Sequence, residues 1–288
     1  MSAHLVISYR HDHVTGEPLF AGNEVAECVA RDVRQQLTGG DDRVLAIDLE
    51  RLTRVQTVRV NDIDYELEWS TDGPVTDDRG KPVLGVCEVD PEGLPDTAVI
   101  CVNPEPVDGR MELLLSTGAH EMGHGIFEAP AWIHAERNAA MPSLFDGLEP
   151  GSRRRVLRTI TPSESHFSAT YPPGSKEFFQ EARANEFMGS LLAPRRLLSR
   201  QFAARCEALG LRPADFLARV SRTLLSPTAQ SEANAEIRPG NLSFLNLDRR
   251  LKLRQVLLLL ASDFGVTRRF VEVRLKRYGL LRQEVEIL

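Results

Sequence analysis

Five consecutive residues, His120-Glu121-Met122-Gly123-His124, carry the clearest chemistry in the chain. On a helix, histidines four positions apart lie on the same face one turn from each other, so both imidazoles can reach one tetrahedral ion. The intervening Glu121 then sits beside the ion's open position, where a carboxylate can take a proton from water. The turns before it bring Met111, Leu113, Leu114 and Leu115, so the helix reads as buried. Buried imidazoles need polar partners, and a shared metal is one. The competing reading of the pentapeptide is a solvated helix bearing two ordinary histidines.

A hydrolytic zinc site takes a third protein ligand and keeps a fourth position open. The downstream candidates are His134, Glu136, His166, Glu177, Glu181 and Glu186. Glu181 is favoured because it lies in FFQEARANEFMGSLLAP (178–194), a strong helical pattern with Phe178, Ala182, Phe187, Leu191 and Leu192 as its apolar face. Asn185, one turn on, could hold a ligand histidine by hydrogen bond. The alternative for Glu181 is a surface carboxylate. An oxyanion forming at such a site needs a donor; His166, Tyr171 and Arg183 are the candidates, and the sequence does not choose between them.

The elements that must position these groups follow from periodicity. A short strand is expected in HLVISY, then a polar arm containing His11-Asp12-His13, read as solvated. Asn23 can cap a helix to about Leu37, with Val25, Cys28, Val29, Val33 and Leu37 on one face and Gly39-Gly40 as its stop. A short helix over 47–53 precedes strands at 54–60, 64–69, 84–90 and 98–103. Helices are expected over 110–127, 175–192, 195–209, 213–225, 248–264 and 267–277. The stretch 141–176, rich in Pro, Gly, Ser and Arg, reads as loop with a helix at 152–158 around Arg153-Arg154-Arg155.

Composition bounds the function. The chain has 288 residues, 42% apolar and 26% charged, ordinary for a globular protein of about two domains. A net charge of -6 and 6% aromatic residues argue against a broad nucleic-acid surface. Cys28, Cys87, Cys101 and Cys206 are scattered with no CxxC pair, which disfavours a disulfide framework and suits a reducing cytoplasm. The N-terminus shows no signal-peptide pattern, and the longest apolar run, 256–261, falls far short of the roughly 20 residues a membrane span needs. A soluble cytoplasmic protein without membrane partners is expected.

Beyond the pentapeptide, Thr117, Ala119, His120, Glu121, Gly123 and His124, followed by Glu181, Ala184, Asn185, Phe187, Leu191, Leu192 and Pro194, resemble the T-x-A-H-E-x-G-H and E-x-x-A-N-x-F-x-x-x-L-L-x-P patterns of the ImmA/IrrE family of metallopeptidases. VICVNP (99–104), DLERL followed by RVQTVRV, and the tail 264–281 are similar to further family segments. The resemblance implies His120, His124 and Glu181 as a gluzincin-like Zn2+ set and Glu121 as catalytic glutamate. It further implies a protein substrate such as a helix-turn-helix repressor or antitoxin encoded nearby. Ser116 stands where the family usually has an aromatic residue, and the stretch from His124 to Glu181 is longer than usual. The excess, about 130–175, reads as a lid or specificity insertion and leaves Glu136 and His166 as rival ligands.

The expected fold is α+β: a small, mainly antiparallel sheet packed on a helical zincin-like core, with a helical C-terminal region. Residues 1–200 form the peptidase domain, and 201–288 a helical region with a helix-turn-helix-like segment at 255–281. There Ala261, Gly265 and Val271 fit the small-residue, turn-glycine and apolar positions. From Arg249 to Leu288, ten Lys or Arg against four Asp or Glu leave six positive charges. A non-catalytic, metal-containing regulator acting through this segment is the alternative function, and DNA contact is the less favoured reading.

Overall fold

The computed structural model describes residues 3–19, 23–77, 80–89, 94, 96–107, 109–139, 154–158, 172–213, 216 and 247–282. They form an α+β fold in two compact units, Met1–Pro194 and Arg195–Leu288. The expected helix at 213–225, together with His166, Tyr171 and Arg153, lies mostly or wholly outside the described residues.

The first unit is built on six strands: β1 (Ala3–Ile7), β2 (Val55–Val60), β3 (Ile63–Ser70), β4 (Gly85–Val89), β5 (Thr97–Val102) and β6 (Arg154–Arg158). Their order is β1-β2-β3-β5-β4-β6. The β2–β3, β4–β5 and β4–β6 ladders are antiparallel, and β1–β2 and β3–β5 are parallel. Strand β6 corrects the expectation of a helix at 152–158. Its five residues find the edge of β4, and such tertiary pairing overrides weak local propensity.

Alternation in β2 and β3 buries Val58, Val60, Ile63, Tyr65 and Leu67 on one face and leaves Thr57, Arg59 and Asp64 in solvent, as a half-covered sheet requires. The covering helices are α1 (Asn23–Thr38), against β1, and α3 (Met111–Phe127), against β4 and β5. A short α2 (Leu49–Thr53), capped by Asp48, leads into β2. The buried face of α1 is Ala26, Val29, Ala30, Val33 and Arg34, rotated from the expected one, so Cys28 is exposed. After α3 the chain forms α4 (Ala129–Ala139), an element the sequence pattern does not announce. Pro130 reads as a breaker there, but proline is well tolerated in the first turn of a helix.

Helix α5 (Lys176–Leu192) packs across both α1 and α3. Ser175 caps its start by accepting from Phe178 N at 3.1 Å. The buried Arg34 guanidinium fixes its end, donating to Leu191 O at 2.7 Å and to Val44 O and Leu45 O at 2.6 and 2.7 Å. A cation on the last carbonyls of a helix satisfies orphan acceptors and opposes the negative end of the dipole. Burial lowers the Arg34 pKa to about 10, which still leaves it charged at neutral pH.

The second unit holds α6 (Arg195–Ala208), α7 (Leu247–Phe264) and α8 (Arg268–Arg277), with α7 packed on α6 and α8. The turn between α7 and α8 has Gly265 at φ 66° and Thr267 as N-cap, accepting from Phe270 N at 3.1 Å. Several basic residues of α8 are engaged internally. Arg274 is buried, lies 4.4 Å from the Tyr278 ring centroid and donates to its hydroxyl. Lys276 and Arg269 pair with the buried Glu272 at 2.9 and 3.2 Å. No described helix is long and apolar enough to cross a membrane.

Candidate metal centre

Helix α3 is buried on every side from Leu114 to Phe127, lying between the sheet and α5. Two tyrosines from the sheet side grip its last turns: Tyr65 donates to Gly125 O at 2.6 Å and Tyr9 to Ile126 O at 2.8 Å. On the opposite side, Gly123 lets α5 approach. A Cβ there would stand 3.0 Å from Ala184 Cα and 3.3 Å from Phe187 Cδ1. That approach sets the distance between the histidines on α3 and Glu181 on α5.

The three predicted ligands converge. His120 Nε2 and His124 Nε2 are 3.1 Å apart. Glu181 presents one oxygen to each ring, Oε2 to His120 Nε2 and Oε1 to His124 Nε2, both at 3.4 Å. Bonds of about 2.0–2.1 Å at the tetrahedral angle place donor atoms roughly 3.3–3.4 Å apart. The three side chains therefore fit around a single ion, and this buried group could bind a metal. Among the described residues it is the one cluster of three or more His, Cys, Asp or Glu with that geometry.

Charge supports the same fit. Glu121, Glu128, Glu181 and Arg183 gather around two histidines, with the three carboxylates all buried. Three carboxylates against one guanidinium leave two negative charges in a low-dielectric interior, which a divalent ion neutralises. For the ion-free protein, protons take that part. Burial pushes the His124 pKa down, but hydrogen bonds and charge from Glu128 and Glu181 outweigh it and raise it to about 10. Burial also opposes ionisation of Glu181, yet His120 and His124 hold its carboxyl far below the usual carboxylate range.

Glu121 is fully buried on the same turn as the ligands. Strand β4 passes over it at Gly85, where a Cβ would lie 3.0 Å from Glu121 Oε1 and 2.7 Å from Thr117 Cγ2. A side chain at that crossing would press on both Thr117 and the carboxylate.

The group that sequence reasoning missed is Glu128. Its Oε2 accepts from His124 Nδ1 at 2.9 Å, and its Oε1 accepts from Arg183 Nη2 at 2.7 Å. Glu128 thus holds His124, a part for which the sequence offered Asn185, and it engages Arg183, one of the three oxyanion candidates. The signal was present in the sequence: 120, 124 and 128 continue one i, i+4 row on α3 and its C-cap.

The rival ligands among the described residues lie elsewhere. Glu177 is exposed and Glu136 is half-buried on α4, outside the cluster. Glu186 is buried but accepts from Ser190 Oγ at 3.0 Å. His134 Nε2 lies 3.1 Å from Val14 O. In the N-terminal arm Asp12 caps its own turn, accepting from Val14 N and Thr15 N at 2.7 and 3.0 Å, while His11 and His13 stack edge to face at 4.6 Å. His4 pairs with Thr57 on the surface. No protein-family model, curated protein or solved structure matches this chain.

Proposed function

We propose that this protein is a zinc-dependent cytoplasmic endopeptidase of the ImmA/IrrE kind, acting on a specific regulatory protein such as a helix-turn-helix repressor or antitoxin. The observation that carries this reading is the convergence of His120, His124 and Glu181 on one point with Glu121 buried beside them. Two imidazoles and a carboxylate suit zinc and leave a fourth position for water or substrate, the arrangement of catalytic rather than structural sites. Bound zinc would supply positive charge that acidifies water and polarises a carbonyl.

The chain's own residues have distinct parts in this reading. Glu121 accepts a proton from water and returns it to the departing amine. Glu128 accepts from His124 Nδ1, which turns Nε2 toward the ligand point and raises the ring's basicity. Arg183 in turn positions Glu128. The four free thiols agree with a reducing compartment. The internal engagement of Arg274, Lys276 and Arg269 on α8 gives DNA contact little support.

The test is metal analysis combined with proteolysis. Purified protein should hold one zinc, lost in His120→Ala and Glu181→Ala and kept in Glu121→Gln. A helix-turn-helix regulator encoded beside this gene is the first substrate to try. Cleavage should vanish in Glu121→Gln, and undiminished activity in that variant would refute the peptidase reading.

A further inference from the structure

Helix α5 uses a second face besides the one that carries Glu181. Lys176, Phe179, Gln180 and Arg183 recur at i, i+3, i+4 and i+7, so they share one side of the helix. That side opens onto a cavity of about 380 Å³, bordered also by α4 and the N-terminal arm and within the size range of small-molecule sites. Its walls are apolar and largely aromatic. Phe127 is buried, Trp132 and Phe179 are half-buried, and Ala131 adds a methyl group from α4. The inner charged groups are Glu128 and Arg183, joined at 2.7 Å.

A loop of the arm forms the rim. It folds back on itself, with Asp12 N donating to Glu17 O at 2.8 Å and Leu19 N to Arg10 O at 2.9 Å. Gly16, at φ 74°, lets the loop settle on α4, since a Cβ there would stand 3.1 Å from Ala131 Cα. The loop thereby sets the Glu17 carboxylate against the Lys176 ammonium. These two side chains are 47% and 59% exposed, and ion pairs so open to solvent contribute little and exchange readily. The inner pair is different, because Glu128 is buried and also accepts from His124 Nδ1.

The cavity thus combines an aromatic interior with one cation whose carboxylate partner is exchangeable. An incoming carboxylate can take the place of Glu17 on Lys176, whereas an incoming cation meets both Lys176 and Arg183. Indole and phenyl walls favour an aromatic body, which stacks on them offset or edge to face. We propose that this cavity is a binding site for a small aromatic carboxylate, its ring against Trp132 and Phe179 and its carboxylate on Lys176 in place of Glu17. The site shares Glu128 and Arg183 with the surroundings of His124. A negative charge placed there favours a cation at the metal centre, and the gain is mutual. Binding itself does not depend on the metallopeptidase reading; only this linkage to the ion rests on it.

The experiment titrates the full chain with phenylacetate by calorimetry, in zinc-loaded and chelator-treated forms, with phenylacetamide and phenethylamine as the neutral and cationic counterparts. Phenylacetate, with about ten heavy atoms, should bind with a Kd of about 1 mM or tighter. The amide should bind about threefold more weakly or worse, and the amine should give no heat of binding. Lys176→Gln should weaken phenylacetate about three- to fivefold, and Glu17→Gln should tighten it about threefold. Neither change should alter the affinity for phenylacetamide. Both side chains lie at the surface, so the variants should unfold at the parent's Tm. Equal affinity of the parent for acid and amide, unchanged phenylacetate binding in Lys176→Gln, or no binding at all overturns the proposal. Zinc should tighten phenylacetate about twofold or more, and equal affinity in the two forms overturns the linkage. Should the protein take up no zinc, the peptidase reading fails, and the Lys176 and Glu17 variants still decide whether the cavity is this site.

Discussion

Glu128 is the residue whose replacement most sharply separates a metal centre from a buried polar cluster. Its carboxylate is 2% exposed and serves two partners, the buried His124 Nδ1 at 2.9 Å and the half-buried Arg183 Nη2 at 2.7 Å. Glu128→Gln keeps the volume and can still accept from one of them, but the amide adds a donor that neither can receive. Loss of such an outer hydrogen bond lowers metal affinity by about 10–100-fold, or about 1.4–2.7 kcal/mol. Glu128→Ala goes further, because it removes the carboxylate that faces the Arg183 guanidinium, whose side chain is 11% exposed. Breaking a buried pair by removing one partner costs about 3–5 kcal/mol of stability. The two effects separate by assay: zinc competition against a chromophoric chelator reads the first, and chemical denaturation of the zinc-free protein reads the second. Adding Arg183→Met to Glu128→Ala should recover most of the stability and none of the zinc affinity. If Glu128→Gln binds zinc as tightly as the parent, His124 is not held by this carboxylate in any way that matters to an ion.

Gly123→Ala should separate α3 from α5, because the new methyl would meet Ala184 Cα at 3.0 Å. The expected cost is about 1–3 kcal/mol with weaker zinc binding, and unaltered affinity would show that the helix spacing does not set the site. Zinc uptake should expel the His124 proton. The folded pKa of about 10 lies above the ordinary 6.5, so the protonated ring stabilises the ion-free chain fully below pH 6.5, and that contribution is lost as pH rises through about 10. The zinc-induced rise in Tm over a chelator-treated control should therefore grow from pH 6 to pH 8, and a pH-independent increment would contradict the assignment. Native thiol labelling should modify the exposed Cys28 rapidly, while Cys87 and Cys206 react only on unfolding. Both are buried, and burial raises the Cys206 pKa to about 11 and that of Cys87 well above its usual value. Equal labelling of all three would refute that burial.

Most of the described elements were legible because their signals are local. Alternation located β2 and β3 and short apolar runs β4 and β5 to within a residue or two, and helical periodicity located α3, α5, α7 and α8. The buried cluster of His120, His124 and Glu181 was legible as an i, i+4 pair plus one carboxylate on a helix with a strong pattern. What was missed depends on tertiary partners. β6 exists as a strand through pairing with β4, and nothing in Arg154–Arg158 alternates. On α5 the expected apolar face named Phe178 and Ala182, both half-buried, whereas Glu181, Glu186 and Ser190 are buried. A hydrophobicity pattern cannot register polar residues that are buried because they are paired. Arg34 and Glu128 belong to that class.

Those buried polar residues also explain why the centre sits on such an unpromising helix. Gly118, Gly123 and Gly125 interrupt α3, and each glycine costs about 1 kcal/mol of helix propensity relative to alanine. Tertiary packing has to supply what propensity withholds, and α3 has packing on every side: the sheet against Gly125, α2 and β3 against Gly118, and α5 against Gly123. A helix enclosed in this way excludes water from its polar groups, so each carboxylate on it must find a counter-charge or take up a proton. Arg183 answers Glu128. For Glu181 the described groups within reach are the two imidazoles, and of these His124 holds its proton at a pH where histidine ordinarily releases it, through hydrogen bonds and charge from Glu128 and Glu181. A divalent ion at the point where the two Nε2 atoms and the Glu181 carboxylate face one another removes that demand. It would let both histidines serve as neutral donors, with Glu121 buried on the same turn.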